Sequence, residues 1–492
     1  MTTFSYSSGS PRETPAGVLV VPVFEGNQPG PGVKETGLLD AYTAAKHTGK
    51  KGENLLVTKR PGDRFAADAV LLVGVGAKDA FDLVAMRRAL GRAVRSLLRF
   101  GTVATTFALA FDARRSADAV QAAAEGLGLG SYRFDRYRSK PEPHGPLSKV
   151  TVLGASRWDD KAMKAAVKRA DVIVDAVTWA RDLVNTPAGD LPPAEIAREA
   201  QKMAKQVGLT CKVWTEAQLK AGGFGGILGV GQGSVNPPRM IELTYTGAGK
   251  TTPIALTGKG IAFDSGGLSI KPADGMETMK DDMGGAASIM ATMKVVARLK
   301  PKINVIAVIP SSENMPSGSA QKPGDVIRHY GGKTSEVLNT DAEGRLILAD
   351  SLAYLAEKKP QLIIDTATLT GACVVALGSD IAGAMGNDDA LAQELVATGA
   401  ATGEPVWQLP LHPDYRKLID SNVADIKNIG KRWGGAITAA WFLAEFVQDV
   451  PWVHLDIAGP AFSETGTDIG PKGGTGVPVR TLVKFVLDRA AG

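Results

Sequence analysis

One stretch organises this sequence: Leu338-Asn-Thr-Asp-Ala-Glu-Gly-Arg-Leu346. It holds two carboxylates, those of Asp341 and Glu343, and the guanidinium of Arg345 between apolar runs. Crowded carboxylates repel one another unless a cation lies near them. Taken alone, however, the stretch is better explained as the start of a helix, with Asp341 as the N-cap and Glu343 in the first turn, because acidic groups stabilise helix N-termini.

A second polar stretch lies upstream, and it favours a metal site over a simple helix cap. Lys259 and Asp264 follow a predicted strand, and Asp282 precedes a predicted helix. In open α/β sheets, ligands bind in the loops beyond the carboxyl ends of strands. A further predicted strand, at residues 336–338, ends just before Asp341. Together the two stretches predict one metal site.

The predicted site is rich in oxygen ligands. Neither histidine nor cysteine stands beside these carboxylates in the sequence. Such a set suits magnesium or manganese and can also hold zinc. Two divalent ions about 3.5–4 Å apart would offset the charge of three carboxylates. Lys259 can bind a metal only as a neutral amine, and we expect its pKa to fall if it lies beside two dications.

Length and composition limit the class of protein. The 492 residues predict two or three domains, and 44% apolar with 22% charged residues is typical of a soluble globular protein. A net charge of +5 gives no argument for a nucleic-acid partner. Cys211 and Cys373, far apart in sequence, predict neither a disulfide framework nor a thiolate zinc site. The N-terminus does not resemble a signal peptide, and no run of about 18 apolar residues occurs, so we expect a cytoplasmic protein without membrane segments.

Short buried strands alternate with helical patterns along the chain, which predicts an α/β fold with mixed, mostly parallel sheets. A proline-rich link near residues 140–146 marks a boundary. We expect a smaller N-terminal α/β domain at residues 1–160, a connecting helix at 161–185 and a larger C-terminal catalytic α/β domain at 186–492. The predicted strands lie at residues 17–24, 54–58, 69–75, 103–111, 150–153, 210–214, 240–245, 253–257, 303–309, 336–338, 362–364 and 453–457.

Three other segments allow a structural or a functional interpretation. Residues 1–16 are rich in serine, threonine, proline and glycine, and we expect them to fray. The glycine-dense segments at 222–226 and 229–233 are interpreted as tight turns at a sheet edge rather than as anion-binding loops. Four arginines recur at helical spacing and predict a solvated basic face, with a DNA-binding face as the alternative. They are Arg88, Arg92, Arg95 and Arg99.

Residues 258–271, 283–287 and 339–346 resemble the leucyl (cytosol) aminopeptidase family. The resemblance extends over roughly residues 180–490, whereas the first 160 residues match only in general outline. The segments that support it are residues 313–317, 322–326, 365–371, 434–440 and 454–459.

The resemblance implies a dinuclear metal exopeptidase that hydrolyses the N-terminal peptide bond of peptides. Asp264 and Glu343 would bridge the two ions, Lys259 and Asp282 would complete the tighter site, and Asp341 would complete the more exchangeable one. A water shared by both ions would attack the peptide carbonyl. A free α-amine can coordinate a metal ion whereas an internal peptide nitrogen cannot, so only the first residue would be removed.

The resemblance also implies the remaining parts of the site. Lys271 would polarise the carbonyl, and Arg345 would hold a bicarbonate ion that takes the proton. The first side chain of the substrate would be surrounded by residues that favour Leu-like groups, although core packing explains the first of them equally well. These residues are Met279, Thr368, Leu369 and Gly371.

The implied cofactors are two ions of manganese or zinc and one bicarbonate, and the implied assembly is a homo-hexamer. Two alternatives stay open. One is an additional DNA-binding, regulatory role through the arginine stripe. The other is a metal-dependent phosphoesterase, which can use the same kind of oxygen-rich site.

Overall fold

The structure is a computed structural model that describes residues 2–26, 28–141, 143 and 145–491. The chain divides into two compact units: unit 1 comprises Met1–Thr178 and Thr465–Lys472, and unit 2 comprises Trp179–Glu464 and Gly473–Gly492. Each unit has an α/β fold around a mixed, mostly parallel sheet, which confirms the predicted fold class. The predicted domain boundaries after residues 160 and 185 remain a proposal.

Among the described residues, seven strands form one sheet in unit 1. The strands are β1 (Thr3–Ser7), β2 (Val18–Phe24), β3 (Gln28–Pro29), β4 (Asn54–Thr58), β5 (Ala69–Gly76), β6 (Thr102–Thr105) and β7 (Lys149–Leu153). The helices are α1 (Leu39–Ala44), α2 (Leu83–Val94), α3 (Ser116–Gly130) and α4 (Asp160–Asn185), whose last residues belong to unit 2. The strand order is β1-β7-β6-β2-β5-β4, and β3 pairs with β2.

Strand β2 shows why this sheet lies inside unit 1. All seven of its residues are buried, and they alternate between two apolar clusters. Val18 and Val20 belong to the cluster that includes α2 and α3, whereas Leu19 and Val21 belong to the cluster on the other face. A strand covered on both faces needs a continuous apolar run, which is what the sequence provides.

Two predictions in unit 1 are wrong. Thr3–Ser7 forms the edge strand β1, paired in parallel with β7, instead of fraying. An edge strand tolerates serine and threonine, while the buried ring of Tyr6 anchors it. The strand predicted at 103–111 ends at Thr105, because the Thr105 hydroxyl accepts a hydrogen bond from the Phe107 N–H and a 3₁₀ turn follows.

The arginine stripe is partly engaged within unit 1. Arg92 forms an ion pair with Asp468 at 2.8 Å, and Arg95 donates to the carbonyl oxygens of Thr467 and Gly470. These acceptors all belong to the segment Thr465–Lys472, so two of the four arginines hold this segment on unit 1.

Unit 2 is built on a nine-stranded sheet with a small three-stranded sheet and a two-stranded hairpin beside it. The strands are β8 (Thr210–Trp214), β9 (Arg239–Thr246), β10 (Ile254–Gly258), β11 (Gly260–Asp264), β12 (Asn304–Asn314), β13 (Val326–Arg328), β14 (Thr334–Glu336), β15 (Ile363–Ala367), β16 (Ala382–Gly386), β17 (Val406–Gln408), β18 (Ile426–Lys427), β19 (Trp452–Asp456), β20 (Phe462–Ser463) and β21 (Gly473–Gly474). The helices are α5 (Pro193–Val207), α6 (Glu216–Gly222), α7 (Gly225–Gly231), α8 (Ala273–Met276), α9 (Gly284–Leu299), α10 (Gly344–Glu357), α11 (Gly371–Leu377), α12 (Asp389–Thr402), α13 (Gly435–Ala444) and α14 (Val479–Ala491).

Four neighbouring strands of the large sheet, β19, β15, β10 and β12, run parallel, so their carboxyl ends share one edge. β11 continues from β10 and pairs with the end of β12, where Asp264 lies opposite Asn314. Helices α9 and α10 follow loops at this edge and pack on the sheet. The order β17-β16-β19-β15-β10-β12-β9-β8 therefore brings loops from distant parts of the sequence together.

The interpretation of the glycine-dense segments as turns is wrong for much of their length. Gly225–Gly231 forms helix α7. A Cβ atom on Gly226 would lie 2.1 Å from the carbonyl oxygen of Leu346, and one on Gly225 would lie 2.0 Å from that of Arg328. Glycine is therefore needed for the close approach of α7 to the backbones of α10 and β13.

Among the described helices, none has the length and apolar character that crossing a bilayer requires.

Candidate metal centre

A cavity of about 450 Å³ opens at the carboxyl ends of the parallel strands. All eleven predicted site residues line it, although they come from segments separated by more than a hundred residues. They are Lys259, Asp264, Lys271, Met279, Asp282, Asp341, Glu343, Arg345, Thr368, Leu369 and Gly371.

Each charged group is placed by the end of an element. Lys259 directly follows β10, Asp264 ends β11, and Asp282 lies in the 3₁₀ turn that precedes α9. Asp341 and Glu343 lie between β14 and α10. The strand predicted at 336–338 is thus β14, two residues earlier, and it belongs to the small sheet rather than to the large one.

The alternative explanation of Asp341 and Glu343 as helix caps is not what the structure shows. Helix α10 begins at Gly344, and Glu343 occupies the N-cap position without a side-chain capping bond. The carboxylate of Asp341 contacts the ammonium of Lys271 instead, at 2.6 Å. Both carboxylates point into the cavity.

Two lysines join the carboxylates in pairs. Nζ of Lys259 lies 2.7 Å from Oδ1 of Asp282 and 2.7 Å from Oε1 of Glu343. Nζ of Lys271 lies 2.9 Å from Oδ2 of Asp264 and 2.6 Å from Oδ1 of Asp341. Two ammonium groups therefore face four carboxylates, and the centre has more negative than positive charge.

The oxygen atoms that the lysines do not reach fit a divalent cation. Asp264, Asp341 and Glu343 each offer a ligand oxygen, and these oxygens lie within 4.8 Å of one another. Oδ2 of Asp282 and Oε2 of Glu343 are buried without a hydrogen-bond partner in the part of the chain that the structure describes. Buried carboxylate oxygens without partners are costly, and a hard cation is the ligand that satisfies them.

The protonation of the centre follows from its burial. Burial raises the pKa of Asp282 and of Glu343, and the neighbouring carboxylates add to the effect. Burial alone would lower the pKa of Lys259, but Asp282 and Glu343 outweigh it and raise the pKa above its usual value. Without metal ions Lys259 therefore keeps its proton, and it has to release that proton before it can bind a metal.

Arg345 stands at the cavity wall in an unusual environment for a guanidinium. It is buried, and burial lowers its pKa to about 10, so it is still charged at neutral pH. Nη1 donates to the carbonyl oxygen of Asn428 at 2.7 Å. Its Nε has no hydrogen-bond partner among the described residues.

Several residues that hold the centre were not predicted. Nδ2 of Asn314 donates to Oδ1 of Asp264 at 2.8 Å. Thr368, which was predicted only as a substrate contact, donates its hydroxyl to Oδ1 of Asp282 at 2.7 Å. Asp456, at the end of β19, accepts hydrogen bonds from the Leu369 N–H at 3.2 Å and the Thr370 hydroxyl at 2.7 Å. A polar residue that ends a buried strand is the signal that could have identified Asn314 and Asp456.

The remaining lining is largely apolar and also escaped prediction. Asp281, Asn339 and Thr370 are the polar exceptions, and burial raises the pKa of Asp281 to about 7. The additional lining residues are Asp281, Asn339, Ala342, Thr370, Ala372, Val374, Ile429, Gly435 and Ala458.

Known proteins resemble the chain over nearly its whole length. A model of the cytosol aminopeptidase family, catalytic domain, matches residues 178–483, and a model of the N-terminal domain of that family matches residues 20–141. A protein of Rhodococcus jostii (strain RHA1) named "Probable cytosol aminopeptidase" is 45% identical over 465 residues, which are 93% of this chain and 90% of that protein.

Two solved structures are similar in fold and in sequence. The bottromycin maturation enzyme BotP in complex with Mn gives a TM-score of 0.87 at 37% identity and covers 96% of this chain and 100% of its own. A mutant of tomato leucine aminopeptidase gives a TM-score of 0.87 at 32% identity and covers 99% of this chain and 97% of its own. With family models matching both parts of the chain and these relatives matching nearly all of it, the protein belongs to the cytosol aminopeptidase family and is a metal-dependent aminopeptidase, a hydrolase that acts on peptides.

Proposed function

We propose that this aminopeptidase removes the first residue of peptides at the cavity described above, that it favours Leu-like residues, and that it works with two divalent ions. The observation that carries the proposal is the group of Asp264, Asp341 and Glu343, whose ligand oxygens lie within 4.8 Å of one another in that cavity. Oxygen donors at such spacing, with a deficit of positive charge around them, are suited to divalent cations.

We assign the ligands between two positions. Asp264 and Glu343 would be shared, Lys259 and Asp282 would complete the tighter position, and Asp341 would complete the looser one. Burial supports this division, because the Asp282 side chain is 5% exposed and the Asp341 side chain is 32% exposed. Manganese or zinc is the proposed metal, and the manganese complex of the similar enzyme BotP supports the first.

When bound, the two ions would supply an acidified water molecule and positive charge beside the scissile carbonyl. Lys271 would add a hydrogen bond to the carbonyl oxygen as negative charge develops there. Its side chain reaches the cavity and is 17% exposed. Burial alone would lower the pKa of Lys271, but Asp264 and Asp341 raise it, so the amine carries the proton that this role requires.

Arg345 is proposed to bind a bicarbonate ion, which would act as the proton acceptor. The buried Nε of Arg345, without a partner among the described residues, supports an anion at this position. The adjacent Nη1 is held by Asn428, so the orientation of the guanidinium is fixed. A planar carbonate-type anion matches the fork of a guanidinium.

The preference for Leu-like residues is supported by the cavity wall. Met279, Leu369 and Val374 offer apolar surface, and Gly371 and Ala458 leave room for a branched side chain. Thr368, also part of the proposed subsite, donates its hydroxyl to Asp282, so its polar group already has a partner.

Release of a chromophore from leucyl anilide tests the proposal. We expect release that is lost after thorough chelation and restored by manganese or zinc. Activity that survives complete removal of metal would overturn the two-ion proposal. Cleavage of a generic phosphoester in place of the anilide would favour the phosphoesterase alternative.

We also propose a homo-hexamer in the cytoplasm, which the family resemblance supports. Sedimentation equilibrium measures the first property, and a mass of one chain, 51.4 kDa, would contradict it. Fractionation of the source cells measures the second.

A further inference from the structure

The side chain of Asn428 binds the backbone of the ligand loop, residues 338–343, at both ends. Its Oδ1 accepts hydrogen bonds from the N–H groups of Leu338, at 2.8 Å, and Asn339, at 3.3 Å. Its Nδ2 donates to the carbonyl oxygens of Asn339, at 2.7 Å, and Ala342, at 3.4 Å. The residue is fully buried, so water does not compete for these bonds.

The backbone of Asn428 extends the contact to both flanks of the loop. Its N–H donates to the carbonyl oxygen of Glu336, the last residue of β14, at 2.9 Å. Its own carbonyl oxygen accepts from Nη1 of Arg345, at 2.7 Å. One residue therefore binds the chain before Asp341, between Asp341 and Glu343, and after Glu343.

We propose that Asn428 is a positioning residue that fixes the ligand loop and aims the guanidinium of Arg345 into the cavity. The inference rests on the proposed function, because it takes Asp341 and Glu343 as metal ligands and Arg345 as part of the catalytic site. Asn428 itself does not line the cavity among the residues described for it, so it acts through these three side chains.

The loop needs such a support because its two carboxylates approach others of like charge. Asp341 and Glu343 lie within 4.8 Å of Asp264 at their ligand oxygens, and the loop carries no regular secondary structure. On its opposite side Thr340 is held by Gly266 and Asn314, at 2.7 and 2.9 Å. Groups that orient metal ligands typically change metal affinity 10- to 100-fold when they are removed, about the size of effect expected here.

The chain contains a matched control. Oδ1 of Asn304 accepts from the N–H groups of Gly247 and Ala248, at 3.0 and 2.9 Å, and Nδ2 donates to the carbonyl oxygens of Gly249 and Thr251, at 2.9 and 2.8 Å. It is a buried asparagine that holds a loop by the same four kinds of bond. Asn304 begins β12 and the metal centre lies at the other end of that strand, about 33 Å away at 3.3 Å per residue.

The test compares Asn428→Ala with Asn304→Ala in the full chain. We expect Asn428→Ala to weaken manganese binding about 10- to 100-fold and to lower kcat on leucyl anilide at saturating manganese, with a smaller change in KM. We expect Asn304→Ala to lower the melting temperature by a similar amount but to leave manganese affinity and kcat as in the wild type. Wild-type affinity and kcat in Asn428→Ala, or equal losses in Asn304→Ala, would overturn the inference.

Two further measurements keep the test decisive. Asn428→Ser retains a hydroxyl for part of the bonding, and we expect a smaller loss in the same direction if Asn428→Ala does not fold. Hydrogen exchange of the Leu338 and Asn339 amides should accelerate in the variant before any metal is added, and unchanged exchange would contradict the inference.

These readouts separate the inference from the proposed function. If the wild type binds manganese but does not cleave the anilide, the proposed function fails, and the affinity comparison still decides the role of Asn428. If the wild type binds no manganese, the exchange rates alone decide whether Asn428 holds the loop.

Discussion

Glu343 illustrates how a single side chain combines two kinds of partner. Its Oε1 contacts the ammonium of Lys259, while its buried Oε2 has no partner among the described residues. The contact with Lys259 lowers the free-energy cost of burying the carboxylate. Oε2 remains available to bind a cation. At the scale of single residues, the proposed chemistry depends on this division.

Glu343→Gln removes the charge and keeps the shape. We expect both metal occupancy and anilide hydrolysis to fall to background while the circular dichroism spectrum stays that of the wild type, because an amide is a much weaker ligand than a carboxylate. Metal analysis after dialysis measures occupancy. A variant with two ions per chain and normal turnover would show that Glu343 is not a shared ligand.

Arg345→Ala should separate proton transfer from metal binding. We expect kcat to fall about 10²- to 10⁴-fold, the usual size of an acid–base contribution, with metal content unchanged. Added bicarbonate should stimulate the wild type and not the variant. Loss of the metals in Arg345→Ala would instead indicate that the guanidinium supports the ligand loop.

The sequence was sufficient to find charged residues that meet at the cavity and insufficient to find the residues that hold them. Lys259 and Asp264 are polar residues that interrupt or end apolar strands, so local pattern identifies them. Asn428 bonds to groups 83 to 92 residues away, and Asp456 to groups 86 and 87 residues away. No local sequence pattern spans such separations. Long-range hydrogen bonds to backbone groups become visible only after the sheet order is known.

At the scale of elements, α7 shows how composition can mislead. Its glycines suggested turns, because glycine in a helix interior destabilises the helix by about 1 kcal/mol relative to alanine. In the structure the segment is a helix, and α7 packs so closely on α10 that a Cβ atom on Gly226 would clash with the α10 backbone. The edge strand β1 misled in the same way: its serines and threonines suggested disorder, while pairing with β7 was not predictable from composition.

Gly226→Ala tests this balance. Intrinsic helix propensity favours alanine, but its Cβ would meet the Leu346 carbonyl oxygen at 2.1 Å, next to Arg345 in α10. We expect the clash to prevail and the variant to lose about 1–3 kcal/mol, as overpacked cores do. Urea unfolding measures the loss, and Gly189→Ala, where a Cβ meets nothing within 4 Å, is the control. A more stable Gly226→Ala would contradict the close packing of α7.

Glu445 ties α13 to two neighbouring segments and gives a pH-dependent prediction. Burial would raise its pKa, but hydrogen bonds from Lys333, at 2.5 Å, and from Arg416 prevail and lower the pKa below its usual value. Its contribution to stability is therefore present above the unfolded pKa of about 4.3 and is lost as the pH falls through the folded pKa.

We expect Glu445→Gln to be about 1 kcal/mol less stable than the wild type at pH 7, and the difference to shrink below about pH 4. Urea unfolding at both pH values measures it. A difference that is equal at pH 7 and at low pH would indicate that shape, rather than charge, is what the variant disturbs.

At the scale of the whole molecule, the metals should stabilise the folded chain, since the ligand set comes together only in that state. With free manganese at 100 times its Kd, we expect about 2.7 kcal/mol of added stability for one site, seen as a rise in melting temperature over the chelated protein. Glu343→Gln should show no rise. If manganese does not change the melting temperature of the wild type, the proposed metal centre is contradicted.

The segment Thr465–Lys472 has a consequence for synthesis of the chain. It belongs to unit 1, yet residues of unit 2 precede and follow it. Arg92 and Arg95 bind residues of this segment. Ile469 packs so closely on Gly91 that a Cβ atom there would lie 2.8 Å from its side chain. A ribosome that has completed residues 1–178 has therefore not supplied all of unit 1. The side of α2 near Arg92 and Arg95 stays uncovered until residues 465–472 have been synthesised.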